Sequence, residues 1–205
     1  NAGGLGIIGA GSMYPDVLKD QIKKCQAATS QPFAVNVPLL YPAVEEHMET
    51  IVALKVPIVF TSAGSPKTWT SHLKSHGIKV VHVVSSSAFA IKSELAGVDA
   101  VVAEGFEAGG HNGREETTTM CLIPAVSQVC HIPVIAAGGL HDGKSILAAM
   151  VLGAEGAQLG SRFVASEESS AHRAFKDAVL SAQEGSTTFT LKQLTPVRML
   201  HNALF

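Results

Sequence analysis

The chain has 205 residues, 46% of them hydrophobic and 16% charged, enough apolar material for one buried core and of a length that makes a single α/β domain the default. The formal net charge is −2, with lysines and arginines scattered along the chain. That balance excludes the basic footprint needed to hold nucleic acid or an anionic membrane surface.

Residues 5–8, Leu-Gly-Ile-Ile, are the first of seven short apolar runs. A helical stretch follows over 14–28, with Pro15 as a first-turn proline and Leu18, Ile22 and Cys25 on one face. The next run, 33–37, leads to a helix over 43–55 that carries Val44, Met48, Ile51, Val52 and Leu54. Glu45, Glu46, His47 and Glu49 cluster in this helix and read as a solvated face rather than a metal site. Runs at 58–61, 80–84, 100–104, 134–137 and 156–160 alternate with helical stretches at 67–76, 88–96, 123–130 and 144–152. Gly77, Gly97 and Gly153 each sit just past a helical stretch, where a helix-terminating glycine belongs. The tail from 187 to 205 is less regular and is expected to lead out of the domain.

The runs are short, mostly rich in valine and isoleucine, and apolar on both faces, as a parallel strand covered on both sides must be. They start at 5, 33, 58, 80, 100, 134 and 156, so each repeat has the length of a βα unit. Seven units exceed the usual doubly wound sheet and fall one short of a (β/α)₈ TIM barrel. The expected architecture is that barrel with its first strand missing, a single domain over 1–205. The start at Asn1 is read as lying inside a longer native chain whose extra strand would close the edges at 5–8 and 157–160.

A barrel's chemistry sits where strands run into the following loops. Those positions hold Gly9-Ala10-Gly11-Ser12, Asn36-Val37-Pro38, Ser62-Ala63-Gly64, Ser85-Ser86-Ser87, the stretch 104–111, Gly138-Gly139 and Gly160-Ser161-Arg162. Gly4-x-Gly6-x-x-Gly9 matches the dinucleotide fingerprint only in letters. Its glycines enclose a strand rather than follow one, and Thr29 stands where an acid belongs. Gly138-Gly139 and Gly160-Ser161 end the last two runs, where barrels hold phosphate on exposed backbone N–H groups. Glu104-Gly-Phe-Glu-Ala-Gly-Gly-His111-Asn-Gly113 is the most informative stretch, a glycine-rich loop that presents a histidine at the rim. An imidazole there can donate to a carbonyl or deliver a proton near neutral pH. The other eight histidines read as structural, and no zinc spacing or nucleophile elbow occurs.

Cys25, Cys121 and Cys130 are odd in number and form no C-x-x-C, which suits a reducing compartment. No leader-like segment opens the chain and no apolar stretch is long enough to span a bilayer, so a cytoplasmic protein without membrane contact is expected.

Several stretches together resemble the FMN-dependent family that holds nitronate monooxygenases (2-nitropropane dioxygenases) and enoyl-acyl carrier protein reductase II. They are Ala2-Gly-Gly-Leu-Gly-Ile-Ile-Gly9, Asn36-Val37, Ala103-Glu-Gly-x-Glu-Ala-Gly-Gly-His111-x-Gly113, Ile135-Ala-Ala-Gly-Gly139 and Gln158-x-Gly-x-Arg-Phe163. The resemblance implies a further strand before this start and a smaller domain after this end. It implies that Asn36 and Gln158 contact a flavin, and that Gly138, Gly139, Gly160 and Ser161 hold the FMN phosphate. Glu104, Gly109 and Gly110 join the cofactor-binding set, and His111 is the catalytic acid or substrate-orienting group. Ala-Glu-Gly before the loop and Thr117-Thr118-Thr119 after it look like the reductase branch, whereas many monooxygenases carry Gln at position 104. Ser161 departs mildly from the usual threonine. The implied activity is reduction of an enoyl thioester with FMN and NADH or NADPH, on an acyl-carrier-protein-bound or small-molecule substrate. Nitronate oxidation with O₂ stands as the alternative, and a non-catalytic flavin- or phosphate-binding barrel as the reading from another class. A homodimer stays open as the assembly.

Overall fold

The computed structural model describes residues 3–202. Ala2 of the family-like stretch, with residues 1 and 203–205 of the expected domain, lies outside the described residues. The described residues fall into two compact units, one running to Val83 and resumed over Ile91–Val101, the other holding Val84–Ala90 and the chain from Val102 onward.

The first unit contains β1 (Gly6–Gly9), α1 (Pro15–Ala28), β2 (Phe33–Pro38), α2 (Val44–Ala53), β3 (Ile58–Ser62), α3 (Thr70–Ser75) and all but the last residue of β4 (Lys79–Val84). α4 (Ser87–Leu95) and β5 (Ala100–Glu104) each have residues in both units. The second unit adds β6 (Gly110–His111), α5 (Thr119–Ser127), β7 (Val134–Ala137), α6 (Gly143–Val151), β8 (Gly156–Gln158), α7 (Ser161–Val164) and α8 (Arg173–Ser181). β9 (Thr187–Thr190) and β10 (Val197–Leu200) close it.

Every one of the seven predicted runs is a strand. They form one parallel sheet in the order β1-β2-β3-β4-β5-β7-β8, which is chain order with β6 set aside. This is the (β/α)₈ class of fold, here with seven βα units. The register starts Gly6 opposite Phe33 and Ala34 opposite Ile58, so Gly9, Asn36 and Phe60 share one row near the strands' C-terminal ends. Ala34, Val35, Val37, Val59, Val80, Val101, Val102 and Ala103 have no accessible surface. That is the cost-free way to bury strands on both faces, since none of these side chains carries a polar atom.

In the first unit, α1 starts on Pro15 and buries Leu18 and Ile22, as the 3.6-residue period predicts. α2 corrects one expectation. His47 is not on a solvated face with Glu45, Glu46 and Glu49. It lies fully buried beside Val44, Met48 and Ile51, because spacings of three and four residues put it on their side of the helix. Its Nε2–H donates to the Met13 carbonyl at 3.1 Å and its ring stacks on Tyr41. A second histidine, His82 on β4, is also buried. Burial drives its pKa down to about 4 against the raising effect of a backbone hydrogen bond with Gly64, so the ring is neutral at physiological pH. The Thr61 hydroxyl lies 2.7 Å from its Nδ1 and 3.4 Å from the Val81 carbonyl, to which it donates. α3 begins at Thr70 rather than 67, because the chain first turns over 65–68 with Thr68 N–H on the Ser65 carbonyl.

In the second unit, α5 begins at Thr119, four residues before the predicted start, with Pro124 inside it. α6 opens on a reciprocal cap in which Asp142 accepts from Ser145 N–H and Ser145 accepts from Asp142 N–H. The tail is also corrected. Residues 187–200 are not irregular: β9 and β10 form an antiparallel hairpin, and β10 pairs in turn with β6. Thr-Thr-Phe-Thr is β-branched or aromatic throughout, and Val-Arg-Met-Leu is apolar at three of its four positions, compositions that a partly covered antiparallel strand accepts. A search for doubly apolar parallel runs passes over them.

Candidate functional site

The strand ends of the second unit build one set of facing loops. Glu104 is the last residue of β5. After it, Gly105 N–H donates to the Ala137 carbonyl at 2.9 Å, which ties the loop after β5 to the end of β7. Gly138, next along, has φ +98°, and a Cβ there would lie 2.6 Å from the Gly105 carbonyl oxygen. Both the conformation and the space admit only glycine, and the result is a turn whose backbone is laid bare beside the loop that carries His111. A Cβ on Gly139 would come 3.3 Å from Glu107, and one on Gly109 would come 3.9 Å from the Ser161 hydroxyl. The loops after β5, β7 and β8 therefore meet. They bring together Glu104, Gly109, Gly110, Gly138, Gly139, Gly160 and Ser161, with Gln158 ending β8 two residues before Gly160.

His111 is exposed and sits in β6, not in a free loop. Its backbone register is opposite Val197 of β10, with Gly110 opposite Arg198. No hydrogen bond holds its ring among the described residues, so the imidazole is available to a ligand. Asn36 belongs to the first unit. It ends β2's row with Phe60, whose carbonyl accepts its Nδ2–H at 3.4 Å, while its own carbonyl accepts Ala10 N–H.

In this unit one buried acceptor stands out. The Gln158 Oε1 is buried and finds no donor. The Glu104 carboxyl is half-buried, and burial pushes its pKa up to about 7. Leaving the Gln158 oxygen unpaired costs roughly 1–3 kcal/mol, which a ligand that brings a donor would relieve.

Two residues of this site escape sequence reading. Glu107 lies within the glycine-rich motif, yet nothing in the letters gives it a task. Its two carboxylate oxygens accept Thr119 N–H at 3.1 and 2.9 Å, so it caps α5 from 12 residues upstream while the adjacent Thr118 makes no side-chain cap. The Thr119 hydroxyl lies 3.0 Å from Glu107, 2.9 Å from the Gly138 carbonyl and 3.3 Å from that of Ala137. One proton serves three acceptors, so this hydroxyl ties the start of α5 to the loops after β5 and β7 without satisfying all of them. Only the run of three threonines pointed here. The other residue is Arg198 on β10, whose Nε–H donates to the Phe106 carbonyl.

The family model of nitronate monooxygenases matches residues 1–52 and 42–205. A probable nitronate monooxygenase of Staphylococcus aureus (strain Newman) is 35% identical over 234 residues, which cover 93% of this chain and 66% of that protein. FabK from Thermotoga maritima superposes with a TM-score of 0.92 at 46% identity, over 97% of this chain and 64% of that one. A nitroalkane oxidase from Streptomyces ansochromogenes superposes at 0.86 with 31% identity, over 98% of this chain and 70% of that one. The chain thus spans just under two thirds of the curated relative's length. No helix among the described residues is long and apolar enough to cross a membrane.

Proposed function

Since the chain belongs to the nitronate monooxygenase family, we propose that it is an FMN-dependent oxidoreductase, and specifically an enoyl-acyl carrier protein reductase that draws its electrons from NADH or NADPH. The observation that carries the flavin reading is the orphaned Gln158 Oε1, a buried acceptor beside two glycine turns on adjacent strand ends. A flavin ring supplies an imide N–H for such an acceptor, and its phosphate takes the bare backbone of Gly138-Gly139 and Gly160-Ser161. Gly109 and Gly110 would line that site, as the resemblance implies.

FMN, when bound, supplies hydride transfer between the nicotinamide and the enoyl chain. The protein's own part is positioning and proton supply. His111 is exposed at the rim and offers its ring N–H to a substrate carbonyl oxygen. Glu104, its pKa pushed up to about 7 by burial, can keep its proton nearer neutral pH than an ordinary carboxyl and so can donate to a neighbouring polar group. The reductase reading is favoured by the higher identity to FabK, the enoyl-acyl carrier protein reductase II, than to the nitronate and nitroalkane enzymes. Nitronate oxidation with O₂ is the second reading, supported by the family model. A cytoplasmic setting fits the three cysteines without a C-x-x-C pair.

One experiment separates these. Anaerobic protein loaded with FMN is mixed with NADH or NADPH, and bleaching of the flavin is followed. Crotonyl thioester is then added. Bleaching and recovery support the reductase. Consumption of propyl nitronate in air without bleaching supports the monooxygenase. Bound flavin that does neither rejects both.

A further inference from the structure

The loop that carries His111 is rich in glycine. Gly105, Gly109, Gly110 and Gly113 fall within nine residues, and glycine gives up more conformational freedom on ordering than any other residue. One outside support of the loop is the β9–β10 hairpin. Asn112 N–H donates to the Pro196 carbonyl at 2.9 Å, Arg114 donates to the Leu194 carbonyl at 2.9 Å, and Lys192 pairs with Glu116 at 2.7 Å. At the centre is Arg198, whose backbone pairs with Gly110, the residue before His111. Its Nε–H donates to the Phe106 carbonyl at 3.0 Å and its Nη1 to the Thr187 hydroxyl at 3.2 Å. Its guanidinium also lies over two rings, 5.0 Å from Phe106 and 5.5 Å from Phe189. Phe106 and Phe189 meet edge to face at 5.7 Å. A planar fork can donate in its plane while stacking its faces, which a lysine ammonium cannot do.

We propose that Arg198 is the positioning residue for His111: by joining β10 to Phe106 at the entry of the glycine-rich loop, it fixes where the imidazole stands over the substrate. The inference rests on the reading of His111 as the group that acts on substrate. It touches neither cofactor nor reacting atoms and works only through the loop.

The test is a double-mutant cycle in the FMN-loaded protein, with turnover measured on crotonyl thioester and on propyl nitronate. Arg198→Ala should lower kcat about 10- to 100-fold, the cost of a reacting group displaced by about an ångström, with flavin affinity changed less than about twofold. Arg198→Lys should recover only part of that loss. In a His111→Ala background Arg198→Ala should cause no further loss, because there is no imidazole left to misplace. Amide exchange at Asn112 should quicken in Arg198→Ala. If that variant does not fold, Phe189→Leu removes one stacking face and should show a smaller kcat loss with the same non-additivity. Losses that multiply in the double variant, or unchanged exchange at Asn112, overturn the proposal while leaving the role of His111 intact. Unchanged turnover in His111→Ala alone overturns the catalytic reading and this inference with it.

Discussion

Replacing Glu104 with glutamine isolates a charge that the fold resists. The carboxyl's pKa is raised from 4.5 to about 7 because burial penalises its ionised form. The folded state therefore keeps its proton between those values while the unfolded chain has lost it, so stability is greatest below pH 4.5 and declines as pH rises towards 7. A shift of this size is worth about 3 kcal/mol at 1.36 kcal/mol per unit. Worked through the linkage relation, the penalty is about 1 kcal/mol at pH 5 and about 3 kcal/mol at pH 7 and above. The wild-type profile alone does not reveal it. His82, with its pKa lowered to about 4, adds stability as pH rises through 4 to 6.5, the opposite slope over nearly the same window. The difference between Glu104→Gln and wild type cancels the histidine. Guanidinium unfolding of flavin-free protein at pH 5, 6, 7 and 8 should show the variant gaining about 2 kcal/mol on wild type between pH 5 and pH 8. A difference constant to within about 0.5 kcal/mol across that range would refute the assignment of Glu104 as a strained buried acid.

Gly138→Ala should destabilise the protein by about 2–5 kcal/mol in urea unfolding, combining the strain of φ +98° with a Cβ driven onto the Gly105 carbonyl. Gly143→Ala is its control: nothing lies within 4 Å of that Cβ at the start of α6, and a change between no effect and a gain of about 1 kcal/mol is expected. His111→Ala should lower kcat by roughly 10²–10⁴-fold with the flavin's absorbance band unchanged, as for a lost general acid. If KM rises instead and kcat holds, the ring only orients the substrate.

The barrel strands were legible because parallel strands covered on both faces must be largely apolar, and β5 and β7 are almost entirely valine, isoleucine and alanine. The glycine turn after β7 was legible too, since paired glycines at a strand end have few other uses. What stayed hidden depends on distant partners. The burial of His47 follows from its helical neighbours once they are known to face a sheet, but its charge-rich surroundings in the sequence point outward. Glu107 earns its place only through Thr119, and the two-residue strand at Gly110–His111 exists only because β10 lies beside it. A helix cap drawn from 12 residues away and a strand of two residues leave no periodicity to read.

The bonds between the hairpin and the histidine loop span 76 residues from Lys192 to Glu116, 80 from Leu194 to Arg114 and 92 from Arg198 to Phe106. Contacts of such sequence separation close large loops, and their entropy must be met before they give anything back. The parallel strands, by contrast, pair with neighbours about one βα unit away. The order of assembly follows from this difference. The barrel strands can dock while the chain is still being made, and the loop bearing His111 stays unset until residues 187–200 have left the ribosome and folded back. Among the described residues, the setting of the loop bearing His111 thus follows the docking of the parallel strands. Folding kinetics would register this as φ-values near zero for substitutions at Arg198 and Phe189, and near-unit values there would show the opposite sequence of events.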